Sequence, residues 1–157
     1  MVNNMIFIPY NTPSLKNSKV KTSKGIFSST TVKKYLSKLG IQSYSSSKKI
    51  VKGYVNRPNK FEALKEQFEL ALGNKEFPIL ICFHFIRDSK RAFDFGNASE
   101  VIFDLLTAHN IIPDDNIKFT IPSVMTIDGI LPTEENMHKL EWYSVDKENC
   151  GTWIKII

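Results

Sequence analysis

Six side chains in one short stretch have the types and spacing to do chemistry: Asp94, Asn97, Glu100, Asp104, Asp114 and Asp115. Carboxylates grouped on turns and on one helix can hold Mg²⁺, a hard cation that keeps some of its waters and accepts phosphate oxygens. A metal held in this way supplies a hydroxide-like nucleophile and offsets charge as a phosphodiester is attacked. Each residue also has a plain structural role. Asp94 suits a turn. Asn97 suits a helix N-cap, and Glu100, three residues on, a relative of the capping box. Asp104 suits an exposed helix face, and Asp114-Asp115, after Pro113, a surface turn.

The element carrying this stretch is a helix. Val101, Ile102, Leu105 and Ala108 recur at helical spacing and give it a face to bury. A helix from about Ala98 to His109 is ~18 Å long at 1.5 Å per residue. Asp94 and Asp114-Asp115 therefore flank opposite ends. They meet only through a chain reversal or through the pairing of two subunits.

Charge is divided along the chain. Residues 1–61 hold eleven Lys, one Arg and no Asp or Glu, a formal +12; the remaining 96 carry −7, which leaves the net +5. A one-sided basic half is the footprint of a chain that meets phosphate. Lys16, Lys19, Lys21 and Lys24 fall in a polar segment, 11–24, expected to be a mobile basic arm that touches backbone phosphates without reading bases. Lys33 and Lys34 lie off the apolar stripe of the first helix, and Lys90 and Arg91 in the turn before Asp94. These eight are the candidate DNA contacts.

The 157 residues suit one domain. No apolar run is long enough to span a bilayer, and the start of the chain lacks the pattern of a secretory signal. Cys82 and Cys150 form no metal or CxxC pattern and are expected to be reduced, in a cytoplasmic setting. The expected order is a strand at Met5–Pro9, a short strand at Gly25–Ser28, a helix from Ser29 or Thr30 to Leu39, and a helix opened by Arg57-Pro58-Asn59. A doubly apolar central strand over 77–86, the helix described above, a strand over 117–127 broken at Pro122, and a final strand at Trp153–Ile157 follow. Residues 41–57, with the serine-rich run Ser43–Ser47, are expected to be a flexible insertion, and 132–149 to be irregular. The expected fold class is α/β (α+β): a small mixed sheet with helices packed mainly on one face. His84, among apolar neighbours on the central strand, is expected to be a satisfied buried residue.

Taken together, the stretch resembles the RusA family of phage and prophage Holliday-junction resolvases. That family carries a D-x-D-N motif, a helix containing Phe-Asp-x-Leu and a later Ala, and then an Asp-Asp turn. Here these correspond to Asp94-Phe95-Gly96-Asn97, Phe103-Asp104-Leu105-Leu106 with Ala108, and Asp114-Asp115-Asn116-Ile117, with no gap between the first Asp and the pair. A strand ending in proline and the Pro13-Ser14-Leu15-Lys16-Asn17 turn are similar too. The resemblance implies a homodimeric, Mg²⁺-dependent endonuclease (with Mn²⁺ as a substitute) that cuts four-way DNA junctions with paired nicks. Asp94 and Asp115 would be metal ligands, with Asp114 and Asn97 beside them.

Two positions depart from the family pattern. Gly96 stands where the family has its second Asp, and Glu100 where it has a lysine. Two readings follow. In one, the site still cuts, Glu100 reaches the metal in place of the missing Asp, and Lys90, Arg91 or Lys118 supplies the positive charge. In the other, the chain binds branched DNA without cutting it.

Overall fold

The computed structural model describes the backbone of residues 4–14, 19–22, 25–28, 30–45 and 47–157, and the side chains of that set without 19–28. The central element is a nine-residue strand, β6 (Ile79–Arg87), whose side chains are all buried except the half-buried Leu80. Its apolar character on both faces fits it for the middle of a sheet. It is flanked on one side by the antiparallel β9 (Gly151–Ile156), which in turn pairs antiparallel with β1 (Met5–Pro9). On the other side it pairs parallel with β7 (Thr120–Val124) at its first half and with β8 (Tyr143–Val145) at its end. The result is a five-stranded mixed sheet.

The two faces of β6 have different partners. Ile81, Phe83 and Phe85 point to the helices. Phe83 meets Phe103 edge-on at 5.5 Å between centroids and Phe95 at 6.1 Å. Both belong to α3 (Phe95–Ala108), which crosses from β6 to β7. α1 (Thr30–Lys38) adds Val32, Tyr35 and Leu36 to the same core, and α2 (Lys65–Leu72) adds Phe68, stacked on Phe61 at 5.3 Å. On the opposite face His84 is fully buried and satisfied. Its Nδ1 lies 2.9 Å from the Met125 carbonyl, an acceptor only, so Nδ1 carries the proton; Nε2 is then free to accept from Ser144 Oγ, 2.6 Å away. Burial lowers its pKa below the usual value, against the pull of the Met125 carbonyl. The small mixed sheet with helices on one face thus agrees with the fold class expected from sequence.

Several local expectations are corrected. Within the segment expected to be an arm, Lys19–Thr22 is a strand, β2, paired antiparallel with β3 (Gly25–Ser28). Lys16, Lys24 and the proposed Ser29 cap lie outside the described residues, as do the side chains of Lys19 and Lys21. The stretch 41–57 is a hairpin, β4 (Ile41–Tyr44) and β5 (Val51–Gly53). Ile41 is buried, Tyr44 and Val51 pack against the core, and the serine-rich turn is tied by Ser45, whose Oγ accepts from the Lys49 and Ile50 amides. Serine content signalled mobility, but the Ser45 hydroxyl forms the turn. The stretch 132–149 contains β8, too short at three residues to carry a period.

Pro122 does not break its strand. It lies opposite Ile81 on an edge strand, where a missing N–H is tolerated. α2 begins later than expected, after a 3₁₀ turn at Glu62–Leu64, and Asn59 Oδ1 accepts from the Phe61 and Glu62 amides at 2.9 Å. Gly40 closes α1 with φ +82°, and a Cβ there would lie 2.1 Å from the Pro58 carbonyl oxygen, so only glycine fits.

Candidate functional site

α3 is buried almost all round. Of its fourteen residues only Phe95, Gly96, Asn97, Glu100 and Asp104 reach solvent fully or in part. Asn97, Glu100 and Asp104 are separated by three and four residues, so they form one polar stripe on its open side. Asp94 stands at the head of the stripe as the N-cap. Its Oδ1 accepts from the Asn97 amide at 3.0 Å, with extended backbone at φ −87°, ψ 110°. The expectation that Asn97 caps the helix is therefore corrected. Asp94 is an equally good cap and sits three residues earlier, so the helix starts at Phe95. Glu100 has no capping-box role, because it falls six residues after the cap. Asn97 Nδ2 is buried and has no hydrogen-bond partner among the described residues.

At the far end, Asp114 and Asp115 share a tightly bonded turn. Asp114 Oδ1 accepts from the Asp115 amide and its Oδ2 from Asn116 Nδ2, both at 2.8 Å. Those two bonds, with one from Asp115, hold the Asp114 carboxyl below its usual range. The Asp115 carboxyl is pushed up by partial burial, then by its hydrogen bond with Asp114 and by the charges of Asp114 and Asp104, with Lys48 pulling the other way. The pair therefore divides its titration, with Asp115 the better proton holder.

Asp104 is met by Lys48, from the tip of the β4–β5 hairpin. Lys48 Nζ lies 2.5 Å from Asp104 Oδ1. Burial works to lower the Lys48 pKa, but the Asp104 hydrogen bond and the charges of Asp104, Asp115 and Glu100 outweigh it and raise it. Lys48 is thus the cation of the stripe, supplied by the segment that looked like an insertion. Tyr44, on the same hairpin, has a buried hydroxyl with no hydrogen-bond partner among the described residues, and its pKa is raised well above the usual value, by burial first and then by the charge of Asp104. The chain had no sequence signal for Lys48, which lies far from the acidic stretch and reads as one lysine among many.

The structure groups Glu100, Asp104 and Asp115 electrostatically around Lys48. It does not bring Asp94 to Asp115: α3 between them is ~21 Å long at 1.5 Å per residue. Among the described residues no three His, Cys, Asp or Glu side chains converge closely enough to hold a metal ion. Asp94 therefore does not join Asp114 and Asp115 at one point of a single chain.

The candidate DNA contacts that are described lie on the surface. Lys33 and Lys34 are exposed on α1, and Arg91 is exposed before Asp94. Lys90, also exposed, borders an open groove of about 620 Å³ with Leu140, Trp142 and Tyr143. Arg87 was not foreseen. It is buried, donates to the Thr12 carbonyl and Ser14 Oγ, and lies 4.6 Å over the Phe93 ring. Cys82 and Cys150 are unbridged, and burial pushes the Cys82 thiol up to about 11. No helix among the described residues is long and apolar enough to cross a membrane. Compared with family models, with curated proteins and with solved structures, the chain matches none.

Proposed function

We propose that the chain is a RusA-like protein that binds branched DNA, with the four-way junction as its ligand and a homodimer as its working form. The observation that carries this reading is the division of charge. A basic first half with no carboxylate up to Phe61 packs against α3, whose open stripe carries the motif residues Asp94, Asn97 and Asp104 and leads on to Asp115. Phosphates on the basic half set register and orientation, which a shape-recognising protein needs more than base contacts.

The second reading is Mg²⁺-dependent cutting by paired nicks. Its support is the accessibility of Asp94 and the unequal Asp114–Asp115 carboxyls. Its difficulty is that the ligands stand apart in one chain, so a second copy would have to complete the set. Glu100 is exposed on the stripe but sits beside Lys48's partner Asp104, with no metal group around it among the described residues.

A labelled synthetic four-way junction, incubated with the protein in Mg²⁺ and then Mn²⁺, separates the two, with binding scored by gel shift on the same samples. A shift without nicks supports binding alone. Paired nicks that vanish in Asp94→Asn and Asp115→Asn establish the endonuclease, and loss in Glu100→Gln as well would assign that residue a part in it. Absence of any shift overturns both.

A further inference from the structure

A second feature lies away from the acidic stripe, where the end of β1, the last turn of α1 and the segment 54–60 meet. Tyr10 has φ +76°, a backbone state that bulky side chains rarely adopt. Two ammonium groups lie close to its ring, one of them at its hydroxyl. Lys60 Nζ is 4.8 Å and Lys38 Nζ 5.7 Å from the centroid, and Lys60 also donates to the Tyr10 hydroxyl. Close by in the chain, Arg57 Cζ sits 3.9 Å over the Tyr54 ring. Ser37 ties this second pair to α1: Arg57 Nη1 donates to its Oγ at 3.1 Å and its carbonyl at 3.3 Å, and the Tyr54 hydroxyl donates to the same Oγ at 3.4 Å.

These cations are held by neutral partners. A tyrosine ring attracts a cation through its quadrupole without neutralising it. Lys38, Arg57 and Lys60 rest on rings and hydroxyls, and among the described residues no carboxylate forms an ion pair with them. Ordinary surface lysines are either mobile or paired with carboxylates. Here the earliest carboxylate in the chain, Glu62, faces Lys65 instead. Tyr10 N donates to the Cys150 carbonyl at 3.0 Å, which ties the residue to the turn before β9.

We infer that Tyr10, Lys38, Tyr54, Arg57 and Lys60 form a pre-ordered track for consecutive phosphates of a nucleic-acid backbone. The inference rests on the DNA-binding reading above and gives it a location. The track meets phosphates, so it adds affinity for duplex and junction alike and carries no sequence preference.

The test is the salt dependence of binding, measured in EDTA so that cutting cannot contribute. Labelled duplex and four-way junction are titrated with the wild type and with the triple variant Lys38→Gln, Arg57→Gln, Lys60→Gln. Every phosphate left without its cation should lower the slope of log K against log salt by about 0.9, so the triple variant should show a slope smaller by roughly 2 to 3 on both DNAs. A second triple variant, Lys38→Arg, Arg57→Lys, Lys60→Arg, should keep the slope, which separates charge from folding. A wild-type slope in the glutamine variant overturns the track while leaving DNA binding in place. No binding by the wild type overturns both.

Discussion

Lys48 and Asp104 form a 2.5 Å ion pair between the tip of the β4–β5 hairpin and the middle of α3. About one third of the Lys48 side chain and one fifth of Asp104 remain exposed (35% and 18%), so the pair is screened only in part.

Removing the cation takes away a positive charge that Asp104, Asp115 and Glu100 all feel. Lys48→Met is expected to destabilise the fold by about 1 kcal/mol, and the double variant Lys48→Met, Asp104→Leu by less than the sum of the singles. Urea unfolding of the four proteins measures both. Additive losses would mean that the pair contributes nothing.

Asp115 should titrate above its ordinary value, chiefly because of burial, and lose part of that rise when Asp114 is replaced by asparagine. Carboxyl chemical shifts followed by NMR through acid pH read this directly. The sign for stability follows from the raised folded-state pKa: the contribution of Asp115 is complete below its unfolded value and is lost as pH rises through the folded one. Asp115→Asn should therefore leave the melting temperature at pH 7 unchanged or higher. If Asp115 is also a metal ligand, the same variant weakens Mn²⁺ binding, so stability and function would move in opposite directions.

His84 and His109 should make the fold acid-sensitive. His109 accepts from Asn59 Nδ2 at 2.9 Å through Nε2 and donates from Nδ1 to the Leu105 carbonyl at 2.7 Å, which fixes the neutral tautomer. Burial lowers the pKa of both histidines. Because the folded values lie below the unfolded ones, stability is complete above about pH 6.5 and declines as pH falls towards the folded values. His109→Gln should flatten that decline in thermal melts between about pH 7 and pH 5. A decline as steep as that of the wild type would assign it to other groups.

Gly151 is a point of close approach on the sheet. A Cβ there would lie 2.3 Å from Phe7 Cζ and 2.6 Å from the Ile8 carbonyl oxygen. Gly151→Ala should cost roughly 1–3 kcal/mol, as overpacking does, and calorimetric unfolding would show it. The variant Phe7→Leu, Gly151→Ala should recover part of the loss.

The parts of the fold legible in the sequence are those in which one segment carries its own signal. β6 announced itself by an apolar run interrupted only by His84, and α3 by its spaced apolar residues. The buried stripe Val32, Tyr35, Leu36 and Leu39 of the first helix was legible for the same reason. What escaped was structure whose cause lies elsewhere in the chain. β8 is three residues that pair only because β6 offers an open edge, and the hairpin around Ser45 is held by contacts that composition does not reveal.

The candidate site divides along the same line. Its carboxylates, and the distance separating Asp94 from Asp115, could be read from spacing. Lys48, Arg87 and the Tyr10 cluster could not, because each meets its partners across tens of residues. Asp94 was legible as a residue but not as the cap, since Asp and Asn satisfy a helix end almost equally well and only the backbone angles choose between them.

The pairing of β1 with β9 has a consequence for synthesis on the ribosome. Among the described strands, the first to emerge has a single neighbour, and that neighbour is the last of them to be made. Until β9 is out, Met5–Pro9 and one edge of β6 stay unpaired, an apolar template open to other nascent chains. A helper that shields hydrophobic segments until β9 has emerged should therefore raise the soluble yield more than slower elongation would.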